Sequence, residues 1–377
     1  MKGLFESSSA DRQPPVSPNA VAHPVATLYS TVSADRLLWK IGTSLAMLCI
    51  VLTGGTSGCD SPETEASPTP VPLPVRAVAT ITSTEPISPL YTNLGLLPGK
   101  VALGHRLFYD KRLSADNSIS CATCHDMGKG GSDGLETAVG YNDQIGNLNT
   151  PTVFNCSLSL AQFWDGRVAT LEEQASGPVH NPIEMATNWP SVVAKLQRDP
   201  GFVRAFNEEY PEGLCEAAIV DAIATFEKSL ITVNSPFDRY LLGDRSAISA
   251  DAVKGYELFK DLGCISCHQG AAVGGNMFQK FGVMEDYFCG DDANAAVHKG
   301  RFNFTKQKSD LHRFKVPTLR NIELTGPYFH HGRTTTLREA IEIMAEHQLG
   351  TDLLESETHL IEAFLKSLTG EIKREWQ

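Results

Sequence analysis

The pentapeptide Cys121-Ala122-Thr123-Cys124-His125 recurs as Cys264-Ile265-Ser266-Cys267-His268. Two cysteines at this spacing with a histidine directly behind form the attachment signature of a c-type haem. The thiols of Cys121 and Cys124, and of Cys264 and Cys267, suit thioether bonds to the two vinyl groups of a porphyrin. The imidazoles of His125 and His268 then fall on the proximal faces of the two irons. A single Cys-x-x-Cys also serves zinc or redox sites, but two copies, each closed by His, favour two covalently bound haems c. Each macrocycle supplies apolar core of its own, so the chain around it can be short helices and irregular wrap. The expected fold is mainly α, with two cytochrome c-like domains carrying one haem each.

The length of 377 residues suits two globular domains with extra segments. A hydrophobic share of 42% and a charged share of 20% exclude a multi-span membrane protein and a disordered chain. The formal charge of −12 argues against a nucleic-acid partner and for a small, positively patched redox partner. Of the nine cysteines, four belong to the haem motifs and Cys49 and Cys59 to a targeting region. The remaining Cys156, Cys215 and Cys289 are irregularly spaced, which fits buried thiols, with one disulfide as the alternative.

Residues 1–35 are polar and contain Ser and Pro. Arg36 and Lys40 then precede an apolar run from Ile41 to Leu52 that ends in Thr53-Gly54-Gly55-Thr56-Ser57-Gly58-Cys59. Charged entry, an apolar segment and small residues make an export signal; the run is short of the ~20 residues a spanning helix needs. Ser57-Gly58-Cys59 resembles a bacterial lipoprotein cleavage site with Cys59 as the lipidated residue, although Thr56 stands where such sites usually carry Leu. An uncleaved anchor is the alternative. Residues 1–59 are therefore assigned to export or anchoring and 60–89, rich in Pro and Thr, to an extended tether. Export agrees with haem attachment, which in bacteria occurs outside the cytoplasm, and the expected location is the periplasm.

A first domain, 90–235, opens with Leu103, Leu107 and Phe108 on one helical face. A long Gly-, Asn- and Asp-rich passage from Gly128 to Asn149 follows the first motif. Helical patterns resume over Val192–Phe206 and Glu216–Leu230, and Asn234-Ser235-Pro236 marks a boundary. A second domain, 236–377, has helical patterns over Ala250–Leu262, Thr336–Ala345 and Ser356–Leu368, with a loop-rich passage from Gln269 to Asn321.

Several ordered blocks flank these motifs: Leu107-Phe108-Tyr109-Asp110-Lys111-Arg112-Leu113-Ser114, Gln162-Phe163-Trp164-Asp165-Gly166-Arg167, Ser235-Pro236-Phe237-Asp238 and Leu324-Thr325-Gly326-Pro327-Tyr328-Phe329-His330. Through them the chain, from about Leu97 to Gly370, resembles the bacterial dihaem cytochrome c peroxidases, with the MauG group as relatives. The resemblance implies that Met344 is the sixth ligand of the second haem, opposite His268; in the MauG group this position looks like a Tyr. At the first haem, many family members carry a distal histidine where this chain has Tyr141, and no histidine lies between His125 and His180. Three arrangements stay open there: Tyr141 as a loop residue beside an open or water-bound iron, Tyr141 as a phenolate ligand, or a ligand brought from elsewhere. The first is preferred.

The resemblance further places a distal acid/base at Glu184, with Gln174 as its hydrogen-bonding companion, and an inter-haem electron relay at Trp164. It implies a calcium site built from Asn149, Thr325 and Pro327. His330 and His331 suit a structural or propionate-contacting role, and His105 and His312 a structural one. The implied activity is reduction of hydrogen peroxide to water with electrons from a small cytochrome c or cupredoxin, in a chain that can be a homodimer. A MauG-like oxidase of a protein or organic substrate is the enzymatic alternative, and a dihaem electron carrier the non-enzymatic one.

Overall fold

The structure, a computed structural model, describes residues 84–92, 94–289 and 295–376. The export segment, Cys59 and most of the tether lie outside the described residues. Helices α1 (Pro98–Phe108), α2 (Cys121–Cys124), α3 (Leu171–His180), α4 (Trp189–Leu196), α5 (Pro200–Glu209) and α6 (Glu216–Ser229) come first. They are followed by α7 (Pro236–Leu241), α8 (Ala250–Asp261), α9 (Phe302–Thr305), α10 (Leu337–Met344) and α11 (Glu355–Lys366). Strands β1 (Phe278–Lys280) and β2 (Arg313–Lys315) pair antiparallel, with Phe278 opposite Lys315. The mainly α expectation agrees with this inventory. Among the described residues no helix is long and apolar enough to cross a membrane.

The helical pattern over Val192–Phe206 is broken in two. Asp199 leaves the helix and caps α5, its carboxylate accepting from the Gly201 and Phe202 N–H groups at 3.0 and 3.1 Å. Pro200, in the first turn of α5, has no N–H to lose there. Helix α3 has no counterpart among the sequence expectations, and it carries Gly177 and Pro178, two residues that ordinarily disfavour a helix interior. A capping box between Thr170 and Glu173 starts the helix, and Pro178 is carried in its last turn.

Two helix crossings organise the core. Helix α1 crosses α6 at Gly104, where a Cβ would stand 1.9 Å from the Ala222 carbonyl oxygen. Helix α8 crosses α11 at Gly255, where a Cβ would stand 1.9 Å from the Leu360 carbonyl oxygen. Both glycines begin the same pattern, Gly104-His105-Arg106-Leu107-Phe108 and Gly255-Tyr256-Glu257-Leu258-Phe259, so one device is used twice. Close approach of two helix backbones leaves no room for a side chain, and the neighbouring Leu107, Phe108, Tyr256 and Phe259 are buried.

Apolar side chains gather around these crossings. One cluster includes Leu107, Trp189, Phe206 and Ile219; a second includes Phe237, Tyr256, Ile361 and Phe364; a third joins Phe108, Phe154 and Phe226 to Trp376. Buried amides stitch early and late segments together. Asn155 and Asn321 both donate to the Thr232 hydroxyl, at 2.9 and 3.0 Å. The wholly buried Arg320 guanidinium reaches Asp238 at 2.7 Å and the carbonyls of Ala271 and Ser88 at 2.9 Å.

Candidate active site: a shared haem cavity

Both Cys-x-x-Cys-His segments open onto one cavity of about 710 Å³. Cys121, Cys124, Cys264 and Cys267 form no disulfide, and all four line it. In each motif a tight turn sets the histidine: the His125 N–H donates to the Cys121 carbonyl at 2.9 Å, and the His268 N–H to the Cys264 carbonyl at 3.0 Å. The rings are fixed in the same way. His125 Nδ1 lies 3.2 Å from the Gly131 carbonyl oxygen, and His268 Nδ1 lies 3.4 Å from that of Val273. A carbonyl can only accept, so Nδ1 carries the proton and Nε2 is left as a bare lone pair. Burial holds His125 below the ordinary histidine range and pushes His268 down to about 4, so both rings are neutral at pH 7. Neutral imidazoles with free Nε2 atoms and a flanking thiol pair suit covalent haem c, and the cavity has the apolar lining such a group needs.

Met344, the last residue of α10, lines the same cavity as His268. The chain beyond it widens into a π-type turn over Ala345–Leu349. To the same wall α3 contributes Gln174, and the turn after α3 contributes Glu184. The Asn181 side-chain amide donates to Glu184 Oε1 at 2.6 Å. Burial raises the Glu184 pKa, partly offset by that bond and by the charge of Arg167. The Gln174 amide has no hydrogen-bond partner among the described residues. Glu184 also holds the preceding loop, its carbonyl accepting from the Tyr141 N–H at 2.9 Å. Gly140 is part of the cavity wall, but Tyr141 is not.

Trp164 also lines the cavity. Its indole N–H donates to the Asn149 carbonyl at 2.9 Å, and its ring stands edge-on to His330 with centroids 6.4 Å apart. Asn149, Thr325 and Pro327 all reach the wall. The Asn149 side-chain N–H donates to the Leu135 carbonyl at 2.9 Å, which leaves its Oδ1 as the oxygen available to a cation. His330 and His331 are engaged elsewhere: His330 Nε2 lies 3.0 Å from His298 Nδ1, and His331 Nε2 lies 2.9 Å from the Tyr287 hydroxyl. His105 packs against Tyr109 and Phe226, and His312 Nδ1 lies 2.8 Å from the His298 carbonyl.

Two wall residues escape the sequence-based account. Glu227, in α6, is 5% exposed, and its Oε2 has no partner; burial pushes its pKa up to about 8. The available signal was an ionisable residue one turn after Ile223, on a face otherwise carrying Ile219, Ile223 and Leu230. Lys315, on β2, also lines the cavity; it sits in a short irregular strand with no periodicity to flag it.

A sequence model of the di-haem cytochrome c peroxidases matches residues 98–246. The chain is 48% identical to the cytochrome c peroxidase Ccp of Escherichia coli, over 76% of its own length and 61% of that protein's. It is 43% identical to the cytochrome c551 peroxidase of Nitrosomonas europaea, over 76% of this chain and 85% of that one. The chain belongs to the di-haem cytochrome c peroxidase family. The aligned chain thus spans under two thirds of the Escherichia coli relative but most of the Nitrosomonas one. Within the family's fold, a solved MauG-like protein associated with microbial copper homeostasis superposes with a TM-score of 0.68 at 27% identity, covering 79% of this chain and 97% of that one.

Proposed function

We propose that the protein is an exported bacterial peroxidase that reduces hydrogen peroxide to two waters, with two electrons from a small cytochrome c or cupredoxin. The observation that carries this is Glu184. It is a desolvated carboxyl in the wall of the cavity onto which His125 opens, with the unengaged amide of Gln174 in the same wall. Haem iron, when bound, supplies the electrons and the Lewis-acidic centre at which the O–O bond breaks. Glu184, as carboxylate, takes the proton from one peroxide oxygen and returns it to the other, so that the departing oxygen leaves as water; the oxygen left behind takes up the donor's two electrons and two protons from solvent and leaves as the second water. Asn181 holds Oε1 in place for both transfers, and Gln174 offers an N–H to orient the peroxide. General acid–base assistance of this kind is worth about 10²–10⁴-fold.

The remaining residues take supporting roles. Cys121, Cys124 and His125 hold one haem c in a domain over 90–235, and Cys264, Cys267, His268 and Met344 hold another over 236–377. Met344 and His268 would hold the second haem, and that pair of ligands would suit its iron to electron entry rather than to substrate binding. Trp164 lies on the route between them. Tyr141, in a short turn beside the cavity wall, is read as a non-ligand, and with no histidine at that position none would have to leave the first iron. Asn149 Oδ1 with the carbonyls of Thr325 and Pro327, completed by water, forms a calcium site. Residues 1–59 export or anchor the chain, Cys59 being a lipidation candidate; of the 60–89 stretch expected to tether it in the periplasm, the part from Glu85 is docked instead, with Ile87 wholly buried beside Phe237 and the Ser88 carbonyl held by Arg320.

Stopped-flow mixing with hydrogen peroxide, followed by turnover with reduced cytochrome c, tests the proposal. A rapid spectral change and donor oxidation at two electrons per peroxide are expected. No spectral response to peroxide would sink the enzymatic assignment. Indifference of activity to chelators, with no loss in Asn149→Ala, would remove the calcium site.

A further inference from the structure

The cavity wall carries three Lys or Arg side chains among the described residues: Arg167, Lys280 and Lys315. Arg167 is neutralised by Asp165 at 3.1 Å and Lys280 by Asp286 at 2.7 Å. The Lys315 ammonium has neither an ion-pair nor a hydrogen-bond partner among the described residues. The carboxylate that bears on it, Asp165, is already held by Arg167. Lys315 is half-buried, it shares the cavity wall with Phe314 and Val316, and its other close titratable neighbour is the Cys156 thiol, which burial keeps protonated. The position is rigid: the Lys315 N–H donates to the Trp164 carbonyl at 2.8 Å, and the strand register sets it opposite Phe278.

An unpaired cation in an apolar wall is unfavourable unless an anion arrives to meet it. Burial indeed draws the Lys315 pKa down to about 8, so the ammonium persists at neutral pH at a cost. The group this cavity suits bears two carboxylates on its edge. We propose that Lys315 is the anchoring cation for a haem propionate, placed beside Trp164 so that one propionate edge is fixed next to the residue between the two haem sites. The proposal rests on the haem-binding assignment above. Lys315 is thus a positioning residue. It neutralises a propionate, which favours the reduced iron and raises that haem's midpoint potential.

Haem content of the wild type comes first: fewer than two haems c per chain by pyridine haemochrome overturns the haem assignment and this inference with it. With both haems present, spectroelectrochemistry and resonance Raman of Lys315→Met decide the inference alone. Removing the charge should lower the midpoint potential of one haem, leave the other in place, and shift the propionate bending band of the affected haem. Lys315→Arg should restore both readouts. Lys315→Gln, which keeps the wall polar, should behave as Lys315→Met, so a packing defect in one variant does not blur the result. Unchanged potentials and bands in Lys315→Met and Lys315→Gln, or equal shifts in Lys315→Arg, would refute the role.

Discussion

Two carboxyls in the cavity wall, the half-buried Glu184 and the buried Glu227, should answer to pH in opposite ways. In the proposed mechanism Glu184 acts as a base, so it must be deprotonated to start turnover, and burial raises its pKa. The acid limb of kcat/KM should therefore lie above the ordinary carboxyl range. Glu184→Gln should erase that limb and lower kcat by about 10²–10⁴-fold with the haem spectra intact. Glu227 matters for stability instead. Its pKa rises from 4.5 to about 8, so the folded state holds this proton more tightly than the unfolded chain does. That contribution is complete below the ordinary carboxyl pKa and disappears as pH climbs through about 8. Thermal melts should show wild-type stability falling from pH 5 to pH 9. Glu227→Gln should flatten that slope and be the more stable protein at pH 9, by a margin on the order of a few kcal/mol. An unchanged slope in the variant would place the titration elsewhere.

At the scale of elements, the paired crossings at Gly104 and Gly255 make the sharpest demand on sequence. A methyl group at either would meet backbone rather than a movable side chain. Gly104→Ala and Gly255→Ala should each destabilise by about 1–3 kcal/mol, read as a lower midpoint in urea, because helices must slide apart to admit it. Tolerance of both would mean the crossings are looser than drawn. The helices themselves were largely legible, since Leu103, Leu107, Ile219 and Ile223 repeat at the helical period. Helix α3 was hidden by Gly177 and Pro178, whose local preferences are overridden by the capping box at its start. The break at Asp199-Pro200 was present in the residues but masked by apolar spacing that continues across it. The haem motifs could be read directly because thioether chemistry fixes their spacing. Glu184 and Met344 could not be singled out without resemblance, because a loop carboxyl and a helical methionine are ordinary until they are found lining one cavity with His125 and His268.

Across the whole molecule, cohesion depends on a few buried polar groups that join distant segments. Arg320 ties Ser88, Ala271 and Asp238 together with no exposed surface of its own. Arg320→Leu should cost about 3–5 kcal/mol in chemical denaturation, because it strands the Asp238 carboxylate in the interior. The double variant with Asp238→Leu should recover much of that loss; additive losses would mean the pair is not coupled. The two histidines opening onto the cavity have a wider consequence. Each gives its Nδ1 proton to a peptide carbonyl, while the nearby Asp133 carboxylate accepts from Thr150 and Leu135. Without a carboxylate partner neither ring gains imidazolate character, so electron push from the proximal side is weak. On the proposed peroxidase assignment, bond breaking then relies on pull from Glu184, which makes that carboxyl the point at which the whole molecule is most easily switched off.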